Sequence, residues 1–362
     1  MLEARQIRPS SSYTIYYNTL LRFCQYDKRR LYYFYSVLLF LPRRNVLTAR
    51  KIYATMTAMD RYYSFNNFAR EKFGCKTYKL ALSGGMTCPN RDGTLGTRGC
   101  IFCSEGGSGD FAEPPCDDVL EQIEKAKSRV KQKIGDNAKF IAYFQSYTNT
   151  YAPLEKLKTL FSAAIEPDCV AALSVATRPD CLPDEVVEYL SKLNKIKPVF
   201  VELGLQTIHE KTADYIRRGY ALPVFDDALK RLKTAGINVV AHVILGLPGE
   251  SRGDMLDTVR YVGKSEADGI KLQLLHVLRG TDLCADYEKG LFKTLEKDEY
   301  IDIIGEAINI LPKSTVIHRL TGDAPKKLLI APLWSADKKA VLAAMYRSFE
   351  QKNVIQGSKC DY

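Results

Sequence analysis

Three cysteines in one polar segment, Cys88, Cys100 and Cys103, have the residue type and spacing of a metal site. The last two form a C-x-x-C pair, which lets two thiolates face one metal centre from a single turn. The first lies 12 residues before Cys100, across a loop whose glycines let the chain bend back at little steric cost. Since thiolates bind zinc and iron–sulfur clusters, the segment predicts a metal centre.

The number of protein ligands separates two kinds of centre. A structural zinc site takes four protein ligands, and Cys116 is the nearest candidate for a fourth. A four-iron cluster held by three thiolates leaves one iron open for a cofactor or substrate. The loop itself contains no fourth cysteine or histidine, which favours the cluster. A zinc site completed by Cys116 stays open as the alternative.

Composition indicates a soluble enzyme in a reducing compartment. Hydrophobic residues make up 46% of the 362 residues and charged residues 26%, which is ordinary for a globular protein. The ten cysteines are scattered along the chain, whereas disulfide scaffolds are short and cysteine-dense. The N-terminus has no secretory signal pattern. We therefore expect reduced thiols and a cytoplasmic location.

The net charge of +10 raises the question of nucleic-acid binding. Most of the excess lies in residues 1–59, which carry ten Lys and Arg against two acidic residues. The apolar run at 31–42 is too short for a membrane span, although a membrane-surface helix is a minor alternative. We expect residues 1–59 to be a basic extension outside the functional domain, and any RNA to bind the body through a local patch.

Apolar runs alternate with amphipathic segments of helical period through the body of the chain. Parallel strands need crossover helices, so this alternation predicts an α/β fold, a partial (β/α)6 barrel at residues 60–290. We expect residues 291–362 to be a mostly helical extension over the substrate side, with a strand at 314–318. The predicted strands are 78–82, 140–144, 170–176, 198–203, 238–245 and 270–275. In such folds the chemistry lies at the carboxyl ends of the strands.

The cysteine loop, with Phe102 before its last cysteine, resembles that of the radical SAM superfamily. Its long gap between Cys88 and Cys100 resembles that of the elongator catalytic subunit and the YhcC–YtqA subfamily, over the span from Asp60 to Trp334. The resemblance implies a [4Fe–4S] cluster on the three cysteines. This cluster would cleave S-adenosylmethionine (SAM) to a 5′-deoxyadenosyl radical, with electrons from a reducing donor such as flavodoxin or ferredoxin.

The same resemblance implies the SAM-binding residues. Phe102 holds the position of an aromatic that packs near the adenine. Gln206 and Arg218, twelve positions apart, match a SAM-holding pair of oxygen-independent coproporphyrinogen oxidases; a solvated helix-end charge is the alternative for Arg218. Arg178 either contacts SAM or forms an ion pair with Glu202.

One element of the superfamily pattern is missing from this sequence. The glycine-glycine-glutamate segment that binds the SAM amino group is absent after the second strand, where residues 145–149 read Gln-Ser-Tyr-Thr-Asn. Backbone carbonyls of that turn are then the candidates for this contact.

Candidates for the substrate side are His276, His318 and Arg319, with a structural role as the alternative for each histidine. Trp334, the single tryptophan, is expected either to stack a base or, as the simpler reading, to pack against the barrel.

Three functions follow from these expectations. The subfamily resemblance implies modification of a tRNA wobble uridine, for example conversion of carboxymethylaminomethyl to aminomethyl. The sequence lacks both an acetyltransferase-type and a second cysteine-rich domain, which argues against acetyl transfer and methylthiolation. The alternatives are a small-molecule radical SAM enzyme and a non-catalytic Fe–S or zinc module. Phosphate contacts are predicted for Lys326, Lys327, Lys338 and Lys339.

Overall fold

The computed structural model describes residues 61–107, 109–115, 118–130 and 138–362. The expectations for residues 1–59 and for Cys116 concern residues outside this part of the chain. Within it, no helix is long and apolar enough to cross a membrane.

A seven-stranded parallel sheet forms the centre of the described chain. Its order along the sheet is β1-β2-β3-β4-β5-β6-β8, so that strands adjacent in the sequence are neighbours in space. A separate antiparallel pair joins β7 to β9. The strands are β1 (Thr77–Leu82), β2 (Lys139–Phe144), β3 (Val170–Thr177), β4 (Val199–Gln206), β5 (Asn238–Leu245), β6 (Gly269–Leu274), β7 (Val277–Leu278), β8 (Val316–Arg319) and β9 (Leu329–Ala331).

Amphipathic helices connect the strands and cover the outer face of the sheet. The strands are buried on both faces, which explains why they read as nearly continuous apolar runs. The helices are α1 (Phe65–Phe73), α2 (Val119–Val130), α3 (Leu154–Ile165), α4 (Asp184–Asn194), α5 (Glu210–Tyr215), α6 (Leu222–Thr234), α7 (Arg252–Lys264), α8 (Asp282–Glu288), α9 (Lys297–Ile310) and α10 (Lys338–Gln351).

The first helix, α1, closes the amino-terminal end of the sheet. Phe65 and Phe68 stack edge-on against Phe200 of β4, with ring centroids 6.4 and 6.0 Å apart. Ile141 of β2 belongs to the same buried apolar cluster. This plug leaves the carboxyl-terminal end of the strands as the accessible end, where the side chains of an active site are expected.

The predicted partial barrel with a helical C-terminal region is confirmed, with one more strand than the six predicted. The strand expected at 314–318 is β8, and it joins the main sheet beside β6. Since β8 lies within residues 291–362, that segment completes the sheet as well as supplying helices α9 and α10. The boundaries at 60–290 and 291–362 stay predictions.

Candidate active site

One large cavity, about 890 Å³, opens at the carboxyl-terminal end of the strands. The three cysteines of the loop line one end, which we call the sulfur end. Tyr147 and Gln206 line its wall and have left-handed backbone conformations, with φ of 59° and 67°. Non-glycine residues in this conformation are uncommon and cluster at functional sites.

Hydrogen bonds from neighbouring segments fix the cysteine loop. Asn90 Nδ2 donates to Cys100 Sγ at 3.4 Å and to the carbonyl oxygen of Arg217 at 2.7 Å. Ile101 N donates to the carbonyl oxygen of Ile216 at 3.2 Å. Asn90 thus ties the loop to the chain after α5 and donates to one of the predicted cluster ligands. Such donors tune the potential of a cluster.

Burial raises the pKa of Cys100 to about 12, and the neighbouring thiols Cys103 and Cys88 add to the effect. The free thiol is therefore protonated at neutral pH, and a bound metal centre must supply the charge that stabilises the thiolate. Among the described residues, no three His, Cys, Asp or Glu side chains are grouped to hold a single metal ion. The thiolates of an iron–sulfur cluster bind different iron atoms, so this finding concerns single-ion sites only.

Gln206 ends β4 and has an unsatisfied polar atom in the cavity wall. Its Oε1 is buried without a hydrogen-bond partner among the described residues. A buried amide oxygen without a partner is costly unless a ligand supplies a donor. The hydroxyl groups of a SAM ribose would be such donors, so this side chain fits the cofactor that the sequence predicts.

Arg218 is buried, with 1% of its surface exposed, so the alternative of a solvated helix-end charge is wrong. Its guanidinium donates to the carbonyl oxygens of Leu205, Thr207 and Tyr220 and to the Glu210 carboxylate. These bonds hold the chain just after β4 in place. A direct contact with the SAM carboxylate would require one of them to be exchanged, and the half-exposed Glu210 is the most accessible partner.

An ion pair with Glu202, one of the two alternatives given for Arg178, is not formed. Arg178 instead binds Asp180 in bidentate fashion, with nitrogen–oxygen distances of 2.9 and 2.7 Å, and donates to the carbonyl oxygen of Arg218. The reason is the strand register: Ala176 of β3 pairs with Glu202 of β4, so Arg178 lies two residues further along, beyond the level of Glu202. Arg178 nevertheless lines the cavity beside the cysteines.

Glu202 instead belongs to a set of polar side chains inside the barrel, one from each strand of the main sheet. We call this set the interior polar layer. Its members are Lys79, Tyr143, Ser174, Glu202, His242, Lys271 and Arg319. Sequence analysis named Glu202 and Arg319 but missed the other five members. A weak signal was present, since every strand of the main sheet includes polar or hydroxyl-bearing residues among its apolar ones.

Glu202 is the hub of this layer, and its side chain is completely buried. Lys79 Nζ lies 2.5 Å from Oε1, Ser174 Oγ donates to the same oxygen at 2.9 Å, and His242 Nε2 lies 2.8 Å from Oε2. Lys271 also donates to Oε2. Every lone pair region of the carboxylate therefore faces a donor, as a buried charge requires.

The charges of the layer follow from these contacts. Burial alone raises the pKa of Glu202, but the ammonium groups of Lys271 and Lys79 outweigh it and hold the pKa well below the usual range. Burial, together with the cations Lys79 and Arg319, lowers the pKa of Lys271. Burial lowers the pKa of His242 to about 4, so at neutral pH its imidazole is uncharged.

Of the three substrate-side candidates, the structure brings His276 and Arg319 into the cavity. His276 Nε2 is buried and has no hydrogen-bond partner in the described part of the chain. His318 lies beneath the cavity, 4.5 Å from the Phe65 ring, because a register shift in β8 aligns Arg319 rather than His318 with Lys271. His318 is therefore part of the amino-terminal plug, and no direct substrate contact follows for it.

The remaining aromatic and loop residues divide between the cavity and the core. Phe102, Gln145 and Thr148 line the cavity. Trp334 packs on Tyr300, with ring centroids 5.8 Å apart, and its Nε1 donates to the carbonyl oxygen of Leu295 at 3.1 Å. Trp334 thus has the packing role, which was the simpler of the two expected for it.

The cavity lining has an excess of basic residues. It includes eight Lys and Arg against four Asp and Glu. Three of the four lysines predicted to contact phosphate, Lys326, Lys338 and Lys339, lie in this lining. We call these three the mouth lysines. They supply the local patch that RNA binding by an almost neutral body would require.

Known proteins resemble this chain in sequence and fold. The model of the radical SAM superfamily matches residues 93–262, and that of the radical SAM C-terminal domain matches residues 267–351. YtqA of Bacillus subtilis is 45% identical over 297 residues, which cover 82% of this chain and 92% of YtqA.

Two more distant matches connect the chain to larger proteins. The tRNA uridine(34) acetyltransferase of Methanocaldococcus jannaschii is 29% identical over 198 residues, which cover 54% of this chain and 35% of that protein. Among solved structures, the archaeal Elp3 of Methanocaldococcus infernus superposes with a TM-score of 0.60 at 19% identity, over 77% of this chain and 64% of the other. At this identity the likeness concerns the fold alone.

The superfamily match excludes the alternative of a non-catalytic module, and the extensive identity to YtqA confirms the expected subfamily. The chain belongs to the radical SAM superfamily, within its YhcC–YtqA subfamily, and is an enzyme whose cofactors are SAM and a [4Fe–4S] cluster.

Proposed function

We propose that this enzyme modifies the wobble uridine of a tRNA, removing the carboxymethyl part of a carboxymethylaminomethyl group and leaving aminomethyl. The similarity to one relative, a tRNA uridine(34) acetyltransferase, supports the choice of nucleotide. Since only 35% of that relative is matched, its acetyl transfer is not carried over. We place the reaction in the cytoplasm, with a low-potential donor such as flavodoxin or ferredoxin.

The cofactors would occupy the sulfur end of the cavity. Cys88, Cys100 and Cys103 would hold the cluster, and Asn90 would donate to one of its sulfurs. Gln206 would bind the SAM ribose with its unsatisfied amide oxygen, and Phe102 would pack near the adenine. When bound, SAM supplies a 5′-deoxyadenosyl radical that abstracts a hydrogen atom from the substrate.

The observation that carries the proposal is the continuity of the cavity from the cysteines to the basic residues. A substrate that enters past the mouth lysines reaches the sulfur end without leaving the cavity. A nucleotide is suited to this path, because its phosphates face basic residues at the entrance while its base is extruded into the pocket. The exposed Phe111 lies in the same lining and offers a stacking surface for a base.

The reaction balances as an oxidative cleavage of a secondary amine. The carbon–nitrogen bond to the carboxymethyl group breaks, water adds, and the products are the aminomethyl uridine and a two-carbon oxo acid. The two electrons removed equal those taken up when SAM is converted to methionine and 5′-deoxyadenosine. A net external oxidant is therefore not needed, and the donor only primes the cluster.

The test uses tRNA from a strain that lacks this gene. Nucleoside mass spectrometry should show carboxymethylaminomethyl uridine accumulating in place of its aminomethyl derivatives. The reconstituted enzyme, kept anaerobic with SAM and reductant, should convert that tRNA and release 5′-deoxyadenosine in equal amount. Unmodified tRNA from a strain without the precursor is the matched control. An unchanged nucleoside profile together with no conversion would refute the proposal.

A small-molecule substrate is the second candidate, and the size of the cavity favours it. A volume of about 890 Å³ lies within the range of small-ligand sites. Under this alternative, charge reversal at the mouth lysines would leave turnover of the small substrate intact, and deletion of the gene would leave tRNA nucleosides unchanged.

A further inference from the structure

Arg319 differs from the other arginines of the cavity because its donors are unused. Arg91 donates to the carbonyl oxygens of Cys103 and Ser104, and Arg178 and Arg218 bind acidic partners and main-chain oxygens. Arg319 also lines the cavity, yet it has no hydrogen bond or ion pair with any residue in the described ranges. A guanidinium that faces a cavity with five free N–H groups is prepared to bind an anion.

The interior polar layer contains more positive charge than its acidic residue can balance. Lys79, Lys271 and Arg319 are basic, and Glu202 is the acidic member. Glu202 has its oxygens occupied by both lysines, Ser174 and His242. Uncompensated charge in a low-dielectric interior is unfavourable, so the layer favours an additional anion beside Arg319.

Neighbouring groups do not supply that anion. His276, also at this end, is uncharged at neutral pH because burial lowers its pKa to about 4. Asp323 lies near His276, but Lys338 Nζ binds its carboxylate at 2.5 Å. The unpaired Nε2 of His276 can complement a bound polar group, depending on its tautomer.

We propose that Arg319, with Lys271 beside it, forms a carboxylate subsite that binds the carboxymethyl group of the substrate uridine. This inference rests on the proposed function. A carboxylate matches the planar fork of a guanidinium, and it is the group that distinguishes the proposed substrate from its product. We assign a backbone phosphate of tRNA to the mouth lysines, because Lys326 and Lys339 are exposed whereas Lys271 in the interior polar layer is buried.

The subsite explains how product would leave. Loss of the carboxymethyl group removes the anion from Arg319 and returns the excess positive charge to the layer. The amine nitrogen is cationic in substrate and product alike, so in the product its repulsion by Arg319 and Lys271 is no longer offset by a carboxylate. Substrate is therefore bound in preference to product by the same residues.

The test measures anaerobic binding of two anticodon stem–loops to the cluster-loaded enzyme, one with carboxymethylaminomethyl uridine at the wobble position and one with aminomethyl uridine. Wild type should prefer the first by about 10- to 100-fold, the range for a charge-assisted pair. In Arg319→Gln the ratio should fall to near one, and in Arg319→Lys it should be intermediate. Arg347→Gln, an exposed change on α10, is the matched control and should keep the wild-type ratio.

The remaining outcomes show whether the carboxylate subsite or the proposed function is wrong. A carboxylate is also present in SAM, so SAM affinity is measured in parallel; a loss of SAM affinity in Arg319→Gln with an unchanged stem–loop ratio would overturn the subsite. An unchanged ratio and unchanged SAM affinity in that variant would overturn it too. Failure of the proposed function is distinct, because wild type itself would then neither prefer nor convert the carboxylated stem–loop. Retained cluster absorbance in Arg319→Lys and Arg319→Gln checks folding.

Discussion

Replacing Glu202 by glutamine should strongly destabilise the fold, because this carboxylate balances two buried ammonium groups. Its side chain is fully buried, and Lys271 beside it is 4% exposed. Removing one partner of a buried pair leaves charge without compensation and costs about 3–5 kcal/mol. Lys79, 20% exposed, is partly relieved by solvent, which puts the expected loss near the lower figure.

The assay is thermal unfolding followed by circular dichroism, under anaerobic conditions with the cluster-loaded protein. For a chain of this length, a loss of this size corresponds to a melting temperature lower by roughly 4–8 °C. The matched control is Glu188→Gln, which makes the same chemical change in an exposed pair with Lys192 and should leave the melting temperature almost unchanged. The double variant Glu202→Gln/Lys271→Met removes both charges and should be more stable than Glu202→Gln alone.

The stability difference between wild type and Glu202→Gln should depend on pH. Because the pKa of Glu202 is lowered on folding, its stabilisation is present above the pKa of an unfolded glutamate and is lost as the pH falls below it. The difference between wild type and Glu202→Gln should therefore shrink on acidification from pH 6 to pH 3. A variant as stable as wild type at pH 7, or a double variant less stable than the single one, would refute the charge balance described for the layer.

Two further predictions concern other parts of the cavity. Burial lowers the pKa of His276 from 6.5 to about 4, so its contribution to stability is present above pH 6.5 and lost as the pH falls towards 4. Between pH 7 and 4.5, urea unfolding should show wild type losing roughly 2–3 kcal/mol more than His276→Gln; equal losses would contradict this. Lys339→Glu should weaken tRNA binding and reduce the salt dependence of the affinity by about one counterion, whereas Lys195→Glu, an exposed position directly after α4 and outside the cavity lining, should do neither. Equal salt dependence in both variants would exclude the mouth lysines as phosphate contacts.

The strands were predictable because parallel strands buried on both sides have continuous apolar runs. The strand 238–245 is observed with the predicted bounds, and the other bounds differ by one to three residues at an end. Polar side chains after the strands identified the cavity end, and the cysteine spacing identified the sulfur end. These features depend on local sequence and on the general geometry of α/β folds.

The pairing of charges was not predictable, because it depends on register between strands. Two acidic residues, Asp180 and Glu202, were candidate partners for Arg178. Because Glu202 pairs with Ala176 in the sheet, Arg178 lies beyond it and binds Asp180 instead. Lys79 and Lys271 interrupt apolar runs, and the closure of the sheet turns both side chains inward onto Glu202. A register shift in β8 likewise places Arg319, and not His318, in the cavity lining. Such choices require the three-dimensional arrangement of several strands.

A cluster held by three cysteines can be tested by electron paramagnetic resonance of the anaerobically reconstituted, dithionite-reduced enzyme. We expect a [4Fe–4S]⁺ signal that shifts when SAM is added, because SAM would bind the iron that has no cysteine ligand. Cys88→Ala, Cys100→Ala and Cys103→Ala should each lose the signal, and Cys181→Ala, a buried thiol outside the cavity lining, should keep it. A protein loaded with zinc instead of iron would contradict a cluster held by these three cysteines, as would a SAM-responsive signal that survives the loss of any of the three thiols.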